Sequence, residues 1–253
     1  KICIAGLGKK EEFKQDYYRR AAAKAIKLAS FYKIPSVHFA AQGPSEKDCV
    51  ALAEGACLAN YSFDRYKSDD AKMVRVKKIS FPAAAKKFSD ADGRAAIVCS
   101  NVHMARDMVC DNSDVVTPDF IEKAARKIAK KSGMHITVLK EPELKKLGMN
   151  LLLAVGKAST QSPRLIILEY HGDKGSKDKF LLVGKGICFD TGGLDIKPRD
   201  SMLEMRMDMA GAATVLGIMK SASELGLEKN LAGIIATTEN LVDANSYRPK
   251  DIF

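Results

Sequence analysis

The chain has 253 residues, 46% of them hydrophobic, and its 41 Lys+Arg against 31 Asp+Glu give a formal net charge of +10. This length and apolar content can bury a sizeable core and hold two domains. The apolar runs are short and interrupted, which excludes a membrane span, and the six cysteines form no CxxC or regular framework, which favours reduced thiols in a cytosolic protein.

The first part runs from Lys1 to about Phe88. Ile2–Ala5 is expected to form a strand ending in Gly6-Leu7-Gly8, and Phe13 to Tyr32 a helix with apolar residues at helical spacing. Ser36–Ala40 reads as a second strand and Ser45–Tyr61 as a second helix. Strand–helix–strand–helix implies a parallel sheet. The Gly6/Gly8 pair lacks the helix-start context of a dinucleotide fingerprint and reads as a tight turn. Ser89-Asp-Ala-Asp-Gly93 looks like the beginning of a linking helix, amphipathic from Arg94 to Cys110. Thr117-Pro118 then caps another helix, with Pro at its first position, that runs to about Lys131. His135–Leu139 is a predicted strand, Glu141–Leu147 a short helix, and Leu151–Gly156 a loop or helix end. Arg164–Tyr170 is an apolar strand, and the polar residues His171–Asp178 form a hairpin-like connection to the next one. Gly233–Thr237 is a further strand ending in Thr238-Glu239-Asn240, and Asn245–Asp251 is a loop. The basic residues are spread along the chain. Their densest run, Lys123 to Lys131, is a solvated helix face, and aromatics do not interleave with them as a base-stacking platform requires. The four histidines are scattered, with no HExxH.

The stretch from Leu181 to Met209, LLVGKGICFDTGGLDIKPRDSMLEMRMDM, carries the chemistry. Phe180 to Val183 has the apolar character of a central parallel strand. Gly184 and Gly186 flank Lys185 and let the backbone approach something closely. Thr191-Gly192-Gly193 makes a sharp turn after Asp190, and Lys197-Pro198 stiffens the loop that follows. Asp208 stands just ahead of a run with the composition of a buried helix, where it could also act as an N-cap. Charges of both signs near the end of a strand are costly unless paired or bound to metal, and two aspartates suit a divalent cation. Strand ends followed by Gly-rich turns are also where open α/β sheets place ligands.

These residues resemble the leucyl aminopeptidases, the dinuclear, cytosol-type metallopeptidases. The likeness rests on ordered blocks: ARDMVCDNSDVVTP, LGMNLLLAVGKAS, PRLIILEY, VGKGICFDTGGLDIKP, MRMDMAGAATVLG and TTENLVDANSYRPKDI. The resemblance implies an α/β fold in which a macrodomain-like N-terminal domain over 1–92 is joined by a helix over 93–112 to the N-terminal half of a mixed-sheet catalytic domain over 113–253. It implies that Lys185, Asp190 and Asp208 are metal ligands for two divalent ions, Mn2+ or Zn2+. Lys197 becomes a catalytic side chain that polarises the substrate carbonyl, and Met205 lines the pocket for the first substrate side chain. The implied substrates are peptides with a free N-terminus, the implied assembly a homohexamer and the implied location the cytoplasm. Lysine ligates a metal only as the neutral amine, a form that nearby dications favour. Two ions sharing a water supply the nucleophile of peptide hydrolysis.

The family completes its ligand set with a further Asp and Glu in an NTDAEGR-like motif, and the chain stops before that point, so an internal portion of such an enzyme is expected. Cys188 stands where Thr is frequent and reads as a small core residue, with an adventitious thiolate ligand as the other reading. Ala210 replaces a frequent Gly with minor effect, and Cys110-Asp111-Asn112 replaces a typical Asn-Thr-Pro-like segment. The alternative function is non-catalytic: a regulatory or DNA-binding relative, as some members bind DNA, or an inactive fragment that needs its missing half.

Overall fold

A computed structural model describes residues 2–40, 45–81 and 85–242, in two compact units, Lys1–His103 and Met104–Phe253. The predicted loop at Asn245–Asp251 lies outside the described residues.

In the first unit, helix α1 (Asp16–Phe31) and helix α2 (Glu46–Ala59) pack against each other and against a two-stranded parallel ladder. The ladder pairs β1 (Ser36–His38) with β2 (Lys78–Ser80). Helix α2 begins at a capping box. Ser45 Oγ accepts the Asp48 N–H at 3.3 Å while the Asp48 carboxylate accepts the Ser45 N–H at 3.0 Å, which satisfies two otherwise orphan donors. The core of the unit is Ala22, Ile26, Ala29, Leu52, Ala56 and Val76. Gly55 allows the tight crossing of the two helices, since a Cβ there would lie 2.2 Å from the Arg19 carbonyl oxygen.

The predicted strand at Ile2–Ala5 is absent. Ile2 and Ile4 are almost fully exposed, and the segment has no ladder partner among the described residues. A strand needs a neighbour for its N–H and C=O groups, and β1 is only three residues long. The linking helix, α3, also differs from expectation. It spans Ala85–Cys110, so it begins before the predicted start and continues through Gly93. One helical Gly costs only about 1 kcal/mol against Ala, too little to set the boundary.

The second unit is a mixed four-stranded sheet with helices against it. Its strands are β3 (His135–Leu139), β4 (Arg164–His171), β5 (Lys179–Asp190) and β6 (Asn230–Asn240), in the order β3-β4-β6-β5. β4 runs antiparallel to both β3 and β6, and β5 runs parallel to β6. Helix α4 (Pro118–Ser132) and helix α8 (Ala210–Glu224) pack on the sheet and on each other. Between them in the chain lie the short helices α5 (Glu141–Lys146), α6 (Asn150–Val155) and α7 (Arg199–Met202). α4 forms as its sequence directs: Thr117 Oγ1 accepts the Phe120 N–H at 3.3 Å, Pro118 is the first helical residue, and Gly133 ends the helix in the left-handed region at φ 64°. Its buried Ile121, Ala125, Ile128 and Ala129 recur at helical spacing. They meet Ile166, Leu168, Leu216, Met219 and Ile235 in one core, where a fully buried aliphatic side chain contributes about 1.5–3 kcal/mol.

Two further expectations are corrected here. Residues 171–178 do not make a hairpin, because β4 and β5 both pair with β6, which inserts between them. Phe180 to Val183 is not a buried central segment either. Among the described residues β5 is an edge strand, with Phe180, Leu181 and Val183 exposed by 60%, 65% and 76%. Apolar composition alone does not bury a strand; neighbours must cover it, and α8 meets β5 closely at Gly184.

Candidate metal site

Close backbone packing builds the first half of the site. A Cβ on Gly184 would lie 2.7 Å from the Gly211 carbonyl oxygen, and one on Gly211 would lie 2.8 Å from the Lys185 nitrogen. These two positions therefore accept only glycine without displacement, and they seat the first turn of α8 directly on β5. Asp208, just ahead of that turn, then meets Lys185, whose Nζ is 2.7 Å from Oδ1 and 2.6 Å from Oδ2. The Oδ1 contact is a hydrogen bond, and the buried Oδ2 meets the same ammonium as an ion-pair contact. The Asp208 side chain is 16% exposed and that of Lys185 61%. The capping reading of Asp208 does not hold. Met209 is the N-cap of α8, with no side-chain cap bond, and Asp208 spends its carboxylate on Lys185.

A bulge builds the second half. Lys185 pairs with Ala236 and Asp190 with Asn240, and β5 carries one extra residue between Ile187 and Asp190. In a regular strand, residues five apart point to opposite faces; the extra residue places Lys185 and Asp190 on the same one. Beyond the bulge, Gly192 and Gly193 take left-handed conformations, φ 89° and 69°, and turn the chain back. The Gly192 N–H and the Asn240 amide both donate to Asp190 Oδ1, at 2.9 and 2.7 Å. Lys197 Nζ stands 3.1 Å from Oδ2. The loop closes when the Lys197 N–H donates to the Thr191 carbonyl at 2.9 Å. Partial burial pushes the Asp190 carboxyl up. The Gly192, Lys197 and Asn240 hydrogen bonds and the Lys197 charge outweigh it and hold the group below its ordinary range.

The structure thus brings the four charged candidates together as two pairs, Lys185 with Asp208 and Lys197 with Asp190. Met205 is half-buried and opens the 3-10 turn Met205–Met207, whose carbonyl at Met205 receives the Asp208 N–H at 3.3 Å. Arg206 ties the same turn to the end of α3 through the Cys110 carbonyl at 3.3 Å. Cys188 is fully buried with its sulfur 3.6 Å from Thr237 Oγ1, which makes it a core residue. Among the described residues no three His, Cys, Asp or Glu side chains converge. The donors present nevertheless fit a divalent cation. Two carboxylates and an amine are suitable ligands, and the buried Oδ2 of Asp208 is met by the Lys185 ammonium and by no hydrogen-bond donor besides it among the described residues.

One residue of this site was not anticipated. Asn240 was legible only as the end of a strand; its part follows from the parallel register that sets it beside Asp190.

Comparison with known proteins agrees with this architecture. The catalytic-domain model of the cytosol aminopeptidase family matches residues 103–253, and the N-terminal-domain model of the same family matches residues 1–70. A probable cytosol aminopeptidase of Geobacter sp. (strain M21) is 37% identical over 262 aligned residues, which cover 100% of this chain and 52% of that protein. Among solved structures, the bottromycin maturation enzyme BotP in complex with Mn superposes with a TM-score of 0.81 at 29% identity, over 98% of this chain and 52% of its own. The cytosol aminopeptidase of Coxiella burnetii gives a TM-score of 0.76 at 25% identity, over 94% of this chain and 49% of its own. The chain spans about half the length of the relatives it matches. It belongs to the cytosol aminopeptidase family.

Proposed function

We propose that this chain is part of a metal-dependent aminopeptidase that releases leucine-like, apolar N-terminal residues from peptides. The observation that carries the reading is the double pairing at the end of β5, where two lysines stand against two carboxylates beside a Gly-rich turn. Lys185, Asp190 and Asp208 would hold two divalent ions, Mn2+ or Zn2+. That BotP was solved in complex with Mn supports a metal in this fold. Such ions supply an activated water and polarise the scissile carbonyl.

The remaining work falls to the chain's own groups. Lys185 and Asp208, already in contact with each other, would both serve as ligands, the lysine through its amine nitrogen and the aspartate through its carboxylate. Asp190 offers Oδ2, the oxygen that Gly192 and Asn240 do not use. Lys197 would stabilise negative charge that develops on the carbonyl oxygen, an effect worth about 2.7–4 kcal/mol for one well-placed donor. Met205 lines the apolar pocket for the first side chain. We read 1–92 as the N-terminal domain, 93–112 as the link and 113–253 as catalytic. The assembly we propose is a homohexamer in the cytoplasm. No disulfide joins any of the six cysteines, and no described helix is long and apolar enough to cross a membrane.

The test is hydrolysis of leucyl-p-nitroanilide by the natural-length protein, after EDTA and after addition of Mn2+ or Zn2+. Activity that disappears with EDTA and returns with the ion supports the reading. A folded, metal-loaded protein that does not cleave the substrate points to a non-catalytic relative.

A further inference from the structure

Asn240 makes more bonds around Asp190 than any reading of the ligands alone requires. Its side-chain amide donates to Asp190 Oδ1 at 2.7 Å. Its backbone carbonyl accepts both the Thr191 N–H at 2.8 Å and the Thr191 hydroxyl at 2.9 Å. Its own Oδ1 lies where Gly193 leaves room, 3.1 Å from a Cβ that glycine lacks. An ionised carboxylate only accepts, so the nitrogen of the amide must face Asp190.

We propose that Asn240 is a positioning residue for the candidate metal site: its amide fixes the rotation of the Asp190 carboxylate and so sets the affinity of the site for a divalent cation. The proposal rests on the metal reading above. The amide is suited to this because it is a neutral donor. A lysine there would compete with a cation, and an aspartate would repel Asp190. Gly192 and Asn240 both occupy Oδ1, while Lys197 faces Oδ2. Oδ1 is therefore fixed by two neutral donors, and Oδ2 faces the lysine cation, where a metal ion would take up the same negative charge. With the amide removed, the carboxylate keeps only the Gly192 donor on Oδ1 and is free to turn about its own axis toward Lys197. The backbone bonds to Thr191 do not depend on the Asn240 side chain, so the turn itself survives that change.

The experiment is a titration of the metal-free, natural-length protein with Mn2+ alone, reading free Mn2+ by its electron paramagnetic resonance signal, with the melting temperature of the apo protein measured beside it. Asn240→Ala and Asn240→Leu are expected to weaken Mn2+ binding about 10- to 100-fold, the range found when groups that orient a ligand are removed. Asn240→Gln, which keeps an amide donor, is expected to recover most of the loss. Asn240→Leu and Asn240→Gln keep side-chain bulk and serve if the alanine variant does not fold. Affinities within about twofold of the parent, whether or not the melting temperature falls, would overturn the proposal. If the parent does not bind Mn2+, or Asp190→Asn binds it as well as the parent, the metal reading itself fails.

Discussion

The second unit holds two clusters of opposite charges, and they are built in opposite ways. At the start of β4, Arg164 and Glu122 are both buried, with side chains 6% and 8% exposed. Arg164 Nη1 donates to Glu122 at 2.6 Å and to Asp119 at 3.3 Å, and its Nε donates to the Ser162 carbonyl at 3.1 Å. Arg126 donates to the same Glu122 at 2.9 Å, and Lys140 stands 3.7 Å away. Lone pairs and N–H groups are matched to one another, which is what makes a buried charge tolerable. At the end of β5, Asp208 has one charged partner, Lys185, and that lysine is mostly exposed. A carboxylate paired with one exposed lysine passes to a cation at less cost than one locked among several buried donors. The first cluster is closed upon itself and joins α4 to β4; the second is open.

The largest contrast is in activity. Asp190→Asn in the natural-length protein keeps the shape of the side chain and removes its charge, and it is expected to abolish metal-dependent aminopeptidase activity with the fold intact. Near-normal turnover of leucyl-p-nitroanilide by this variant would sink the assignment. The closed cluster should behave in the reverse sense. Glu122→Ala leaves the buried Arg164 guanidinium with only the longer Asp119 contact and the Ser162 carbonyl, and is expected to cost up to about 3–5 kcal/mol of stability, read by denaturant unfolding.

Acid sharpens the same difference. Burial pushes the Glu122 carboxyl up, but the Arg126 and Arg164 hydrogen bonds and the Arg164 and Lys140 charges outweigh it and hold the group below its ordinary value of 4.5. A carboxyl depressed in the folded state contributes stability that is fully present above the unfolded value and is lost as pH falls through the folded one. The melting temperature of the apo protein is therefore expected to hold down to about pH 5 and to drop below about pH 4.5. Glu122→Gln should flatten that drop. An unchanged acid profile in the variant would mean that this cluster does not set the acid limit.

Much of this was legible in the sequence, for local reasons. Thr117-Pro118 and Gly133 bound α4 because cap chemistry is local. The β5 site could be read from Lys185, Asp190, Lys197 and Asp208 because charges gathered around a strand end and a Gly-rich turn are costly unless they are paired or hold an ion. What was not legible depended on partners distant in the chain. The insertion of β6 between β4 and β5, the exposure of Phe180, Leu181 and Val183, and the lack of a ladder partner for Ile2–Ala5 among the described residues are set by which strands meet. The bulge that turns Asp190 to the side of Lys185, and the place of Asn240 beside it, exist only once β5 and β6 are in register.

A steric variant of intermediate effect tests how the open cluster is assembled. Gly184→Ala sets a methyl 2.7 Å from the Gly211 carbonyl oxygen, a backbone atom that cannot swing aside. The start of α8 must shift from β5, at a cost of about 1–3 kcal/mol. Because Asp208 precedes that turn, Mn2+ binding should weaken in the same variant. Full affinity with reduced stability would separate Asp208 from the helix start that is argued to place it.

The smallest expected effect is the most diagnostic. Asp208→Asn removes one charge and keeps the shape. Lys185, mostly exposed, then turns to water, so the lost ion pair is worth no more than about 1 kcal/mol. The apo protein is therefore expected to unfold within about 1 kcal/mol of the parent, while its Mn2+ affinity collapses. A stability loss of the size expected for Glu122→Ala would place Asp208 with the closed cluster, as a structural pair, and would remove the ground for calling the end of β5 open.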